Sequence, residues 1–284
     1  MNGIDKQKCI KCGACVRECL NKVLTMEKGA YPEISRPDLC IECGRCMARC
    51  REDALRAANL PLEKFKTIPE EKAVSAQDME IFLHSKRSCR KYSPLQIRDE
   101  ELKILLDAAQ LAPTAMNSQE KTFIVIKDKA VIERIRKAVI KKSRSFQKTM
   151  KVLASAPLKF LFPKDTAAFF RRAANDYQSM LTAYNDGHDH LYYNAPCLVL
   201  FTGIAMDLMG KDNALHAMNY FIMLAESMGI GTCINGFSSA WPKLLAKYVK
   251  VPKYYKIYGV LTAGYESAPF RRTIYRNGPL VSWI

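Results

Sequence analysis

Apolar positions after about residue 78 follow two different spacings. In residues 99–111 they recur every three to four positions, which predicts an amphipathic helix, and helices are also predicted at residues 78–84 and 131–142. Continuous apolar runs predict buried strands at residues 122–126, 197–202 and 257–263. Residues 212–228 are apolar on nearly every side, and Gly229 after them predicts the end of a buried helix. The pattern predicts an α+β domain with helices on a central sheet.

The first 58 residues contain few of the aliphatic runs that a core needs, and many cysteines. Residues 59–77 carry Pro61, Pro69 and alternating charges, which is typical of an exposed connector. We therefore predict a small domain over residues 1–58, a linker over residues 59–77 and a larger domain over residues 78–284. A domain so poor in apolar residues needs bound metal to fold.

Eight of the eleven cysteines lie in the first 50 residues, in two sets that each follow the spacing C-x2-C-x2-C-x3-C. The second set repeats the first at an offset of 31 residues, and Ile10 with Ile41 and Gly13 with Gly44 repeat with it. The region is therefore an internal duplication.

Cysteine thiolates are soft ligands suited to iron, and a cubane cluster needs four of them. In this spacing the fourth cysteine of each set reaches the other cluster. One [4Fe-4S] cluster would then be held by Cys9, Cys12, Cys15 and Cys50, and the other by Cys40, Cys43, Cys46 and Cys19. Zinc sites are the alternative, but they leave a longer gap between ligand pairs. Residues 5–56 resemble the bacterial two-cluster ferredoxins.

The chain has 44 Lys and Arg against 28 Asp and Glu, a formal net charge of +16. Residues 127–172 hold 14 of these cations and 3 acids, a net charge of +11, which favours an acidic partner. No aromatic-interleaved or helix-turn-helix pattern accompanies the charge, so we do not expect nucleic-acid binding. No apolar run reaches the roughly 18 residues of a membrane span, and the N-terminus lacks a secretory signal, so we expect no membrane association and a cytoplasmic location.

Three further motifs follow in a fixed order. K-R-S-C-R at residues 86–90 places a hydroxyl among cations, which suits a phosphate, although such a stretch alone is more often a solvated face. P-T-A-M-N-S-Q occupies residues 113–119, and G-I-G-T-C-I-N-G-F follows the buried helix at residues 229–237. With the arginines near the C-terminus, this succession resembles the nitroreductase family of FMN-dependent reductases over residues 79–284. The whole chain is similar to the ferredoxin–nitroreductase fusions of anaerobic microbes.

The resemblance implies a homodimer with a central mixed sheet flanked by helices, and FMN bound at the interface. Contacts to its phosphate and ribityl chain are implied for Lys86, Arg87, Ser88 and Arg90. Contacts from the second subunit are implied for Pro113, Thr114, Ala115, Asn117 and Gln119. The flavin ring would lie along Cys233, Ile234, Asn235 and Gly236. Arg272 and Arg276 would return to the phosphate, with Arg271 as a competing choice.

The combined resemblance implies an oxidoreductase. An external donor, such as an acidic ferredoxin or flavodoxin, would supply electrons through two [4Fe-4S] clusters to FMN. Flavin N5 would then pass a hydride to a small conjugated acceptor such as a nitroaromatic or quinone, so no catalytic side chain is assigned. Two alternatives remain: a non-catalytic electron carrier, or an ene-reductase, dehalogenase or flavin reductase on the same fold.

Other reactive residue types have simpler interpretations. Cys89, Cys197 and Cys233 are single cysteines on apolar elements, which are usually small core residues rather than redox thiols. The histidines and aspartates of residues 186–190 surround Gly187, which favours a polar turn over a metal site.

Overall fold

The structure is a computed structural model that describes residues 3–69, 71, 74–155, 162–268 and 270–284. Residues 70, 72 and 73 of the predicted linker and residues 156–161 of the basic segment lie outside these ranges. The chain divides into two compact units. The first unit comprises Met1–Ser75 and Ala115–Ser118, and the second comprises Ala76–Thr114 and Gln119–Ile284.

Short elements repeat within the first unit. Its helices are α1 (Ala14–Glu18) and α2 (Arg45–Ala48). Its strands are β1 (Gly3–Ile4), β2 (Leu24–Thr25), β3 (Glu33–Ile34) and β4 (Leu55–Arg56). β1 pairs antiparallel with β4, and β2 pairs antiparallel with β3. Each helix follows a glycine in the left-handed region, Gly13 with φ 67° and Gly44 with φ 72°, so the sequence duplication is also a structural one.

The apolar core of the first unit is small. Its buried members are Cys15, Leu24, Cys46, Met47 and Leu55. Three residues of the segment predicted as linker pack against this core: Leu60, Leu62 and Phe65. Because of these contacts the compact unit reaches Ser75, well into the segment that the sequence analysis assigns to a connector.

The second unit holds the larger elements. Its helices are α3 (Ala76–Ser85), α4 (Asp99–Gln110), α5 (Lys129–Leu153), α6 (Lys164–Asn185), α7 (Gly210–Ser227), α8 (Gly236–Ser239) and α9 (Pro242–Leu245). Its strands are β5 (Lys121–Ile126), β6 (Cys197–Ile204), β7 (Ile230–Ile234) and β8 (Tyr255–Tyr265). The described helices include none that is long and apolar enough to cross a membrane.

The four long strands form one sheet in the order β5-β6-β8-β7, and every neighbouring pair is antiparallel. Among the described residues, two helices lie between β5 and β6 and two between β7 and β8, and each of these connections joins two antiparallel neighbours. Parallel pairing, among the described residues, is limited to the isolated bridge between Ser88 and Thr232. Ser88 thus adds a parallel bridge at the β7 edge of the antiparallel sheet, so both kinds of pairing occur, as in the mixed sheet that the resemblance implies.

Alternate residues of β6 face two separate cores. Cys197, Val199 and Phe201 pack in a cluster with α4 and α7, while Leu198 and Leu200 pack in a cluster with α5 and α6. The central sheet is thus covered by helices on both faces, which confirms the predicted α+β class. A strand buried on both faces also explains the continuous apolar run at this position.

Helix α5 is much longer than the predicted helix over residues 131–142. Asp128 caps its start by accepting hydrogen bonds from the Ala130 and Val131 N–H groups, at 2.7 and 3.2 Å. Beyond residue 142 the buried positions are Ser143, Gln147 and Met150, two of which are polar. Polar residues on the buried face interrupt the apolar spacing, so the spacing predicts a helix that is too short.

Candidate cluster and flavin sites

One cavity of the first unit brings together cysteines from both halves of the duplication. It has a volume of about 550 Å³, and Cys9, Cys12, Cys15 and Cys50 line it. Cys50 comes from the second set, as the crossed assignment predicts. The four cysteines of one predicted ligand set therefore line one cavity, although no three His, Cys, Asp or Glu side chains of the described residues are arranged to hold a single metal ion.

Two thiols of the second predicted ligand set, Cys19 and Cys43, lie near Cys46. The pKa of the Cys46 thiol is raised to about 11, mainly by burial, with smaller contributions from the nearby thiols of Cys19, Cys43 and Cys15. Burial likewise raises the pKa of the Cys15 thiol, with smaller contributions from Cys50 and Cys9. Each buried thiol thus has neighbours from the set that the crossed assignment gives it, and iron must displace its proton to bind.

The backbone around both cysteine sets is also duplicated. Val23 N–H donates to Cys19 Sγ and Ala54 N–H donates to Cys50 Sγ, both at 3.3 Å. Left-handed φ values recur at the same offset in three pairs of residues: Lys11 and Glu42, Gly13 and Gly44, and Lys22 and Asp53. Left-handed residues beside right-handed ones turn successive N–H groups toward one side, which suits an anionic cluster.

The segment Ala115–Ser118 belongs to this unit. Asn117 Nδ2 donates to the carbonyl oxygens of Ile41 and Glu42, at 3.1 and 3.0 Å. The resemblance implies a flavin contact for Asn117, and nothing in the sequence spacing predicts this bond to the loop between Cys40 and Cys43. Next to this segment, Thr114 Oγ1 accepts a hydrogen bond from the Gln119 N–H at 3.0 Å.

In the second unit, Arg87 has unused hydrogen-bonding capacity. Its Nη1 donates to the Lys86 carbonyl oxygen at 2.5 Å, whereas Nε and Nη2 are buried without a partner. Buried unpartnered guanidinium nitrogens are costly, and an anion would satisfy them. Lys86 Nζ lies 3.5 Å from Glu226 Oε2 and 3.3 Å from the Thr232 carbonyl oxygen, so it is already partly satisfied. Arg87 is therefore the residue of this segment that best fits a phosphate.

A second cavity, of about 730 Å³, joins predicted flavin residues from two parts of the unit. Its lining includes Arg90 and the run Cys233, Ile234, Asn235 and Gly236. The Arg90 guanidinium lies 5.8 Å from the centre of the Tyr193 ring, which also lines this cavity. The structure thus brings Arg90 together with the predicted flavin-ring segment.

Asn235 has a structural task within this cavity wall. Its Oδ1 accepts a hydrogen bond from Ser238 N–H at 2.8 Å, which caps α8, and its Nδ2 donates to the Leu191 carbonyl oxygen. Both ends of the amide are therefore engaged inside the protein. The contribution of Asn235 to a flavin site is to hold the backbone of residues 233–236 in place.

The predicted polar turn at residues 186–190 is organised by Asp189, which is buried. Its carboxylate accepts hydrogen bonds from the N–H groups of Leu191, Tyr192 and Asn194, at 3.1, 2.9 and 3.0 Å. Arg136 Nη1 lies 3.0 Å from Asp189 Oδ2. This network, which the sequence analysis missed, positions His190 and Tyr193 at the cavity wall. An aspartate that accepts hydrogen bonds from several of the N–H groups that follow it is the signature of such a turn.

The remaining predicted residues lie elsewhere or are buried. Arg272 and Arg276 are exposed, and none of the described contacts joins them to residues 86–90. Ser88 is exposed and pairs through its backbone with Thr232. Burial raises the pKa of Cys89 to about 11 and that of Cys197 to about 12, so both thiols are protonated at neutral pH.

Comparison with known protein families identifies the two domains of the chain. The nitroreductase family model matches residues 83–265. This chain belongs to the nitroreductase family. A model of the 4Fe-4S dicluster domain matches residues 8–75, so a ferredoxin-type domain precedes the nitroreductase domain, and the predicted fusion is confirmed.

Individual relatives of this nitroreductase-family protein are distant. The FMN reductase [NAD(P)H] of Bacillus subtilis is 29% identical over 168 residues, which cover 59% of this chain and 57% of that protein. A protein of Archaeoglobus fulgidus named for NADH dehydrogenase or NAD(P)H nitroreductase activity is 41% identical over 56 residues, 20% of this chain and 32% of that protein. The matches thus span about half and one third of these curated relatives.

Solved structures show the same fold. A nitroreductase with bound FMN from Desulfitobacterium hafniense has a TM-score of 0.53 at 16% identity, covering 72% of this chain and 97% of that one. A nitroreductase with bound FMN from Bacteroides fragilis has a TM-score of 0.50 at 19% identity, covering 73% and 99%. The predicted cofactors, FMN and 4Fe-4S clusters, are confirmed at the level of the two domain families, and the chain is an FMN-dependent oxidoreductase by family.

Proposed function

We propose that this protein is an iron–sulfur flavoprotein reductase that passes electrons from an external donor through two [4Fe-4S] clusters and FMN to a small conjugated acceptor, such as a nitroaromatic or quinone. The observation that carries the proposal is the cavity that joins Arg90 to the segment Cys233–Gly236, in a chain whose other unit has cysteines of both motif copies along one cavity. FMN would supply the hydride chemistry when bound.

The residues of the second unit have separate roles in this proposal. Arg87 would bind the terminal phosphate with the two nitrogens that lack partners. Arg90 would place a cation beside the ring segment, where negative charge on a reduced flavin is stabilised. Asn235 and Asp189 act indirectly, because their hydrogen bonds fix the backbone on both sides of the cavity.

Aromatic side chains of the same cavity support a conjugated acceptor. Phe146, Tyr177 and Phe237 line it and contact one another, with ring centres 4.8 Å apart for Phe146 and Tyr177 and 4.9 Å apart for Tyr177 and Phe237. Flat apolar walls with a few polar groups favour planar ligands. Exclusion of water by these rings would also protect a hydride from loss to solvent.

We also propose a homodimer. Among the described residues, α3 buries none of its side chains, and large apolar side chains of the C-terminal segment 270–284 are strongly exposed, including Tyr275, Leu280 and Trp283. A second copy of the chain would cover these surfaces. Light scattering on the full chain is expected to show a dimer, and removal of residues 268–284 is expected to weaken it. A full chain that is monomeric with flavin bound would contradict this proposal.

The function is tested under anoxia with protein reconstituted with iron, sulfide and FMN. With a reduced viologen as donor, we expect turnover of nitroaromatics or quinones that depends on both cofactor types. Enones, haloaromatics and free FMN distinguish the other enzyme classes on this fold. Failure with every small acceptor, combined with fast electron transfer to an added redox protein, would instead support an electron carrier.

A further inference from the structure

Asn117 uses its side-chain amide on the loop of the second cysteine set. Its Nδ2 lies 3.1 Å from the carbonyl oxygen of Ile41 and 3.0 Å from that of Glu42. Carbonyl oxygens only accept hydrogen bonds, so the amide nitrogen must face them, and its two N–H groups serve both acceptors. Ile41 and Glu42 are the two residues between the first two cysteines of the set. Asn117 therefore binds the outer side of a ligand loop.

These two bonds fix the direction of two peptide units. In a planar trans peptide the C=O and N–H groups point in opposite directions. With the carbonyl groups of Ile41 and Glu42 turned toward Asn117, the N–H groups of Glu42 and Cys43 point away from it. Where such N–H groups face the sulfur atoms of a bound cluster, they stabilise the reduced cluster and raise its potential.

The local backbone conformation has an energetic cost. Asn117 has φ 54° and the preceding Met116 has φ 51°, so two consecutive non-glycine residues are left-handed. Asparagine tolerates this region better than most residues, while Met116 gains no such benefit. Left-handed non-glycine residues persist where surrounding contacts determine them, and they concentrate at functional sites. The segment is therefore held in place by its contact with the loop.

The duplication provides an internal comparison. Lys11 has φ 59° and Glu42 has φ 48°, so the two ligand loops share their backbone conformation. Within the part of the chain that the structure describes, no side chain donates a hydrogen bond to the carbonyl oxygens of Ile10 or Lys11. The side chain of Ile10 is 63% exposed. The two loops thus differ in what binds their outer side.

We infer that Asn117 is a positioning residue that raises the potential of the second cluster, held by Cys40, Cys43, Cys46 and Cys19, above that of the first. The inference rests on the proposed function, because a difference between the two potentials directs electron transfer from the first cluster to the second. The reduced first cluster loses one electron, the second cluster gains it, and electrons collect on the second cluster. Asn117 acts through the loop and needs no contact with a cluster.

The test compares three variants of the full chain with both clusters reconstituted. Asn117→Asp keeps the shape and the tolerance of left-handed φ but presents acceptors to the carbonyl oxygens, and Asn117→Gly removes the amide without backbone strain. Asn59→Ala is the control, because Asn59 Nδ2 binds the Glu42 carboxylate, at 2.9 and 3.0 Å, instead of the backbone. Redox titrations followed by electron paramagnetic resonance give the two potentials. Hydrogen–deuterium exchange of loops 9–13 and 40–44 identifies which cluster is affected.

We expect both Asn117 variants to lower one of the two potentials, with Asn117→Asp lowering it more, and to speed amide exchange in loop 40–44 by roughly tenfold. The other potential, loop 9–13 and the Asn59 variant are expected to match the wild type. Unchanged potentials, equal shifts of both clusters, or loss of iron in the Asn117 variants would each overturn the inference. Absence of acceptor turnover in the wild type would refute the proposed function alone, since the potentials are measured without an acceptor.

Discussion

Arg87 has two buried guanidinium nitrogens that no protein group satisfies, and this is the residue-scale feature with the clearest energetic consequence. We expect Arg87→Ala to weaken FMN binding by roughly 1.5 to 3 kcal/mol, the range for hydrogen bonds to charged groups. Titration calorimetry on the apoflavin protein measures this change.

Lys91→Ala is the matched control, because Lys91 is an exposed cation of the same segment. Its affinity for FMN is expected to stay near that of the wild type. Equal losses in the two variants would mean that general positive charge, rather than the buried guanidinium, attracts the phosphate. Affinity that is unchanged in the Arg87 variant would show that another residue binds it.

The crossed ligand sets give a second prediction at the residue scale. Cys12 and Cys50 line one cavity, whereas Cys19 neighbours Cys46. A double variant with Cys12→Ser and Cys50→Ser is expected to keep about four iron atoms per chain, because both changes affect one cluster. The combination of Cys12→Ser and Cys19→Ser is expected to keep almost none. Iron and sulfide analysis after reconstitution measures the cluster content of each double variant. Equal iron contents in the two variants would refute the crossed assignment.

At the scale of elements, the start of α4 depends on Glu101. The Arg98 side chain, followed by the Tyr265 hydroxyl, lowers the pKa of the Glu101 carboxyl from 4.5 to about 2 by hydrogen bonding. A carboxyl with a lowered pKa stabilises the fold above the unfolded-state pKa and loses this effect as the pH falls toward the folded-state value. Glu101→Gln is expected to lower the free energy of unfolding at pH 7 by about 1 kcal/mol, a value reduced for solvent screening.

Urea unfolding between pH 7.5 and pH 4 measures the effect. The difference between wild type and Glu101→Gln is expected to be constant down to about pH 5 and to shrink below it. Glu100→Gln, which changes an exposed neighbour on the same helix turn, is the control. A pH-independent difference would mean that the carboxyl contributes through shape rather than charge.

The apolar pattern of the sequence predicts some of the helices and strands but not others. Strands such as β6 and helices such as α4 were predictable because burial on defined faces leaves a regular apolar pattern. The apolar pattern does not predict β7 as a strand, because its five residues include Gly231 and Thr232. Its pairing with β8 is what makes it a strand. Helix α6 was not predicted because its buried positions are sparse, at Ala174, Tyr177, Met180 and Leu181.

A site can be predicted from the sequence when its residues lie close together along the chain, and is missed when they lie far apart. The cysteine ligands lie three or four residues apart, so their spacing alone indicates the cluster type. Asn117 and Ile41 are 76 residues apart, and no local pattern predicts their contact. The Asp189 network was missed for a different reason, since one aspartate in a turn gives no sign that it will be buried beneath Arg136.

On the scale of the molecule, the excess positive charge is concentrated on one face of α5. We define the basic face as Arg134, Lys137, Lys141 and Lys148, four exposed cations at helical spacing. Lys142 and Arg144 are directed toward other elements, because Lys142 lies 5.4 Å from the Trp241 ring centre and Arg144 donates to Asn185 Oδ1 at 2.6 Å. Within the basic face, Lys137 lies 3.5 Å from Glu133 Oε1. We expect the basic face to attract an acidic redox protein such as a ferredoxin or flavodoxin.

Changing the basic face to glutamine is expected to slow donor-dependent reduction at low salt by roughly tenfold and to flatten its salt dependence, because surface attraction is screened within about 8 to 10 Å. Stopped-flow reduction at several ionic strengths measures both. The control removes the same number of charges from another surface by changing Lys211, Lys250, Lys253 and Lys256 to glutamine. If the two variants behave alike, the charge of α5 has no special role in docking.

The discontinuity of the first unit has a consequence for how the protein is made. Chains fold from the N-terminus during synthesis, domain by domain. Met1–Ser75 emerges early and can take up iron, but Ala115–Ser118 is translated about forty residues later, after the first two helices of the second unit. The loop at Ile41 and Glu42 therefore stays uncovered until translation is well into the second unit. We therefore expect this loop to be accessible for cluster insertion on the ribosome until Asn117 has been translated.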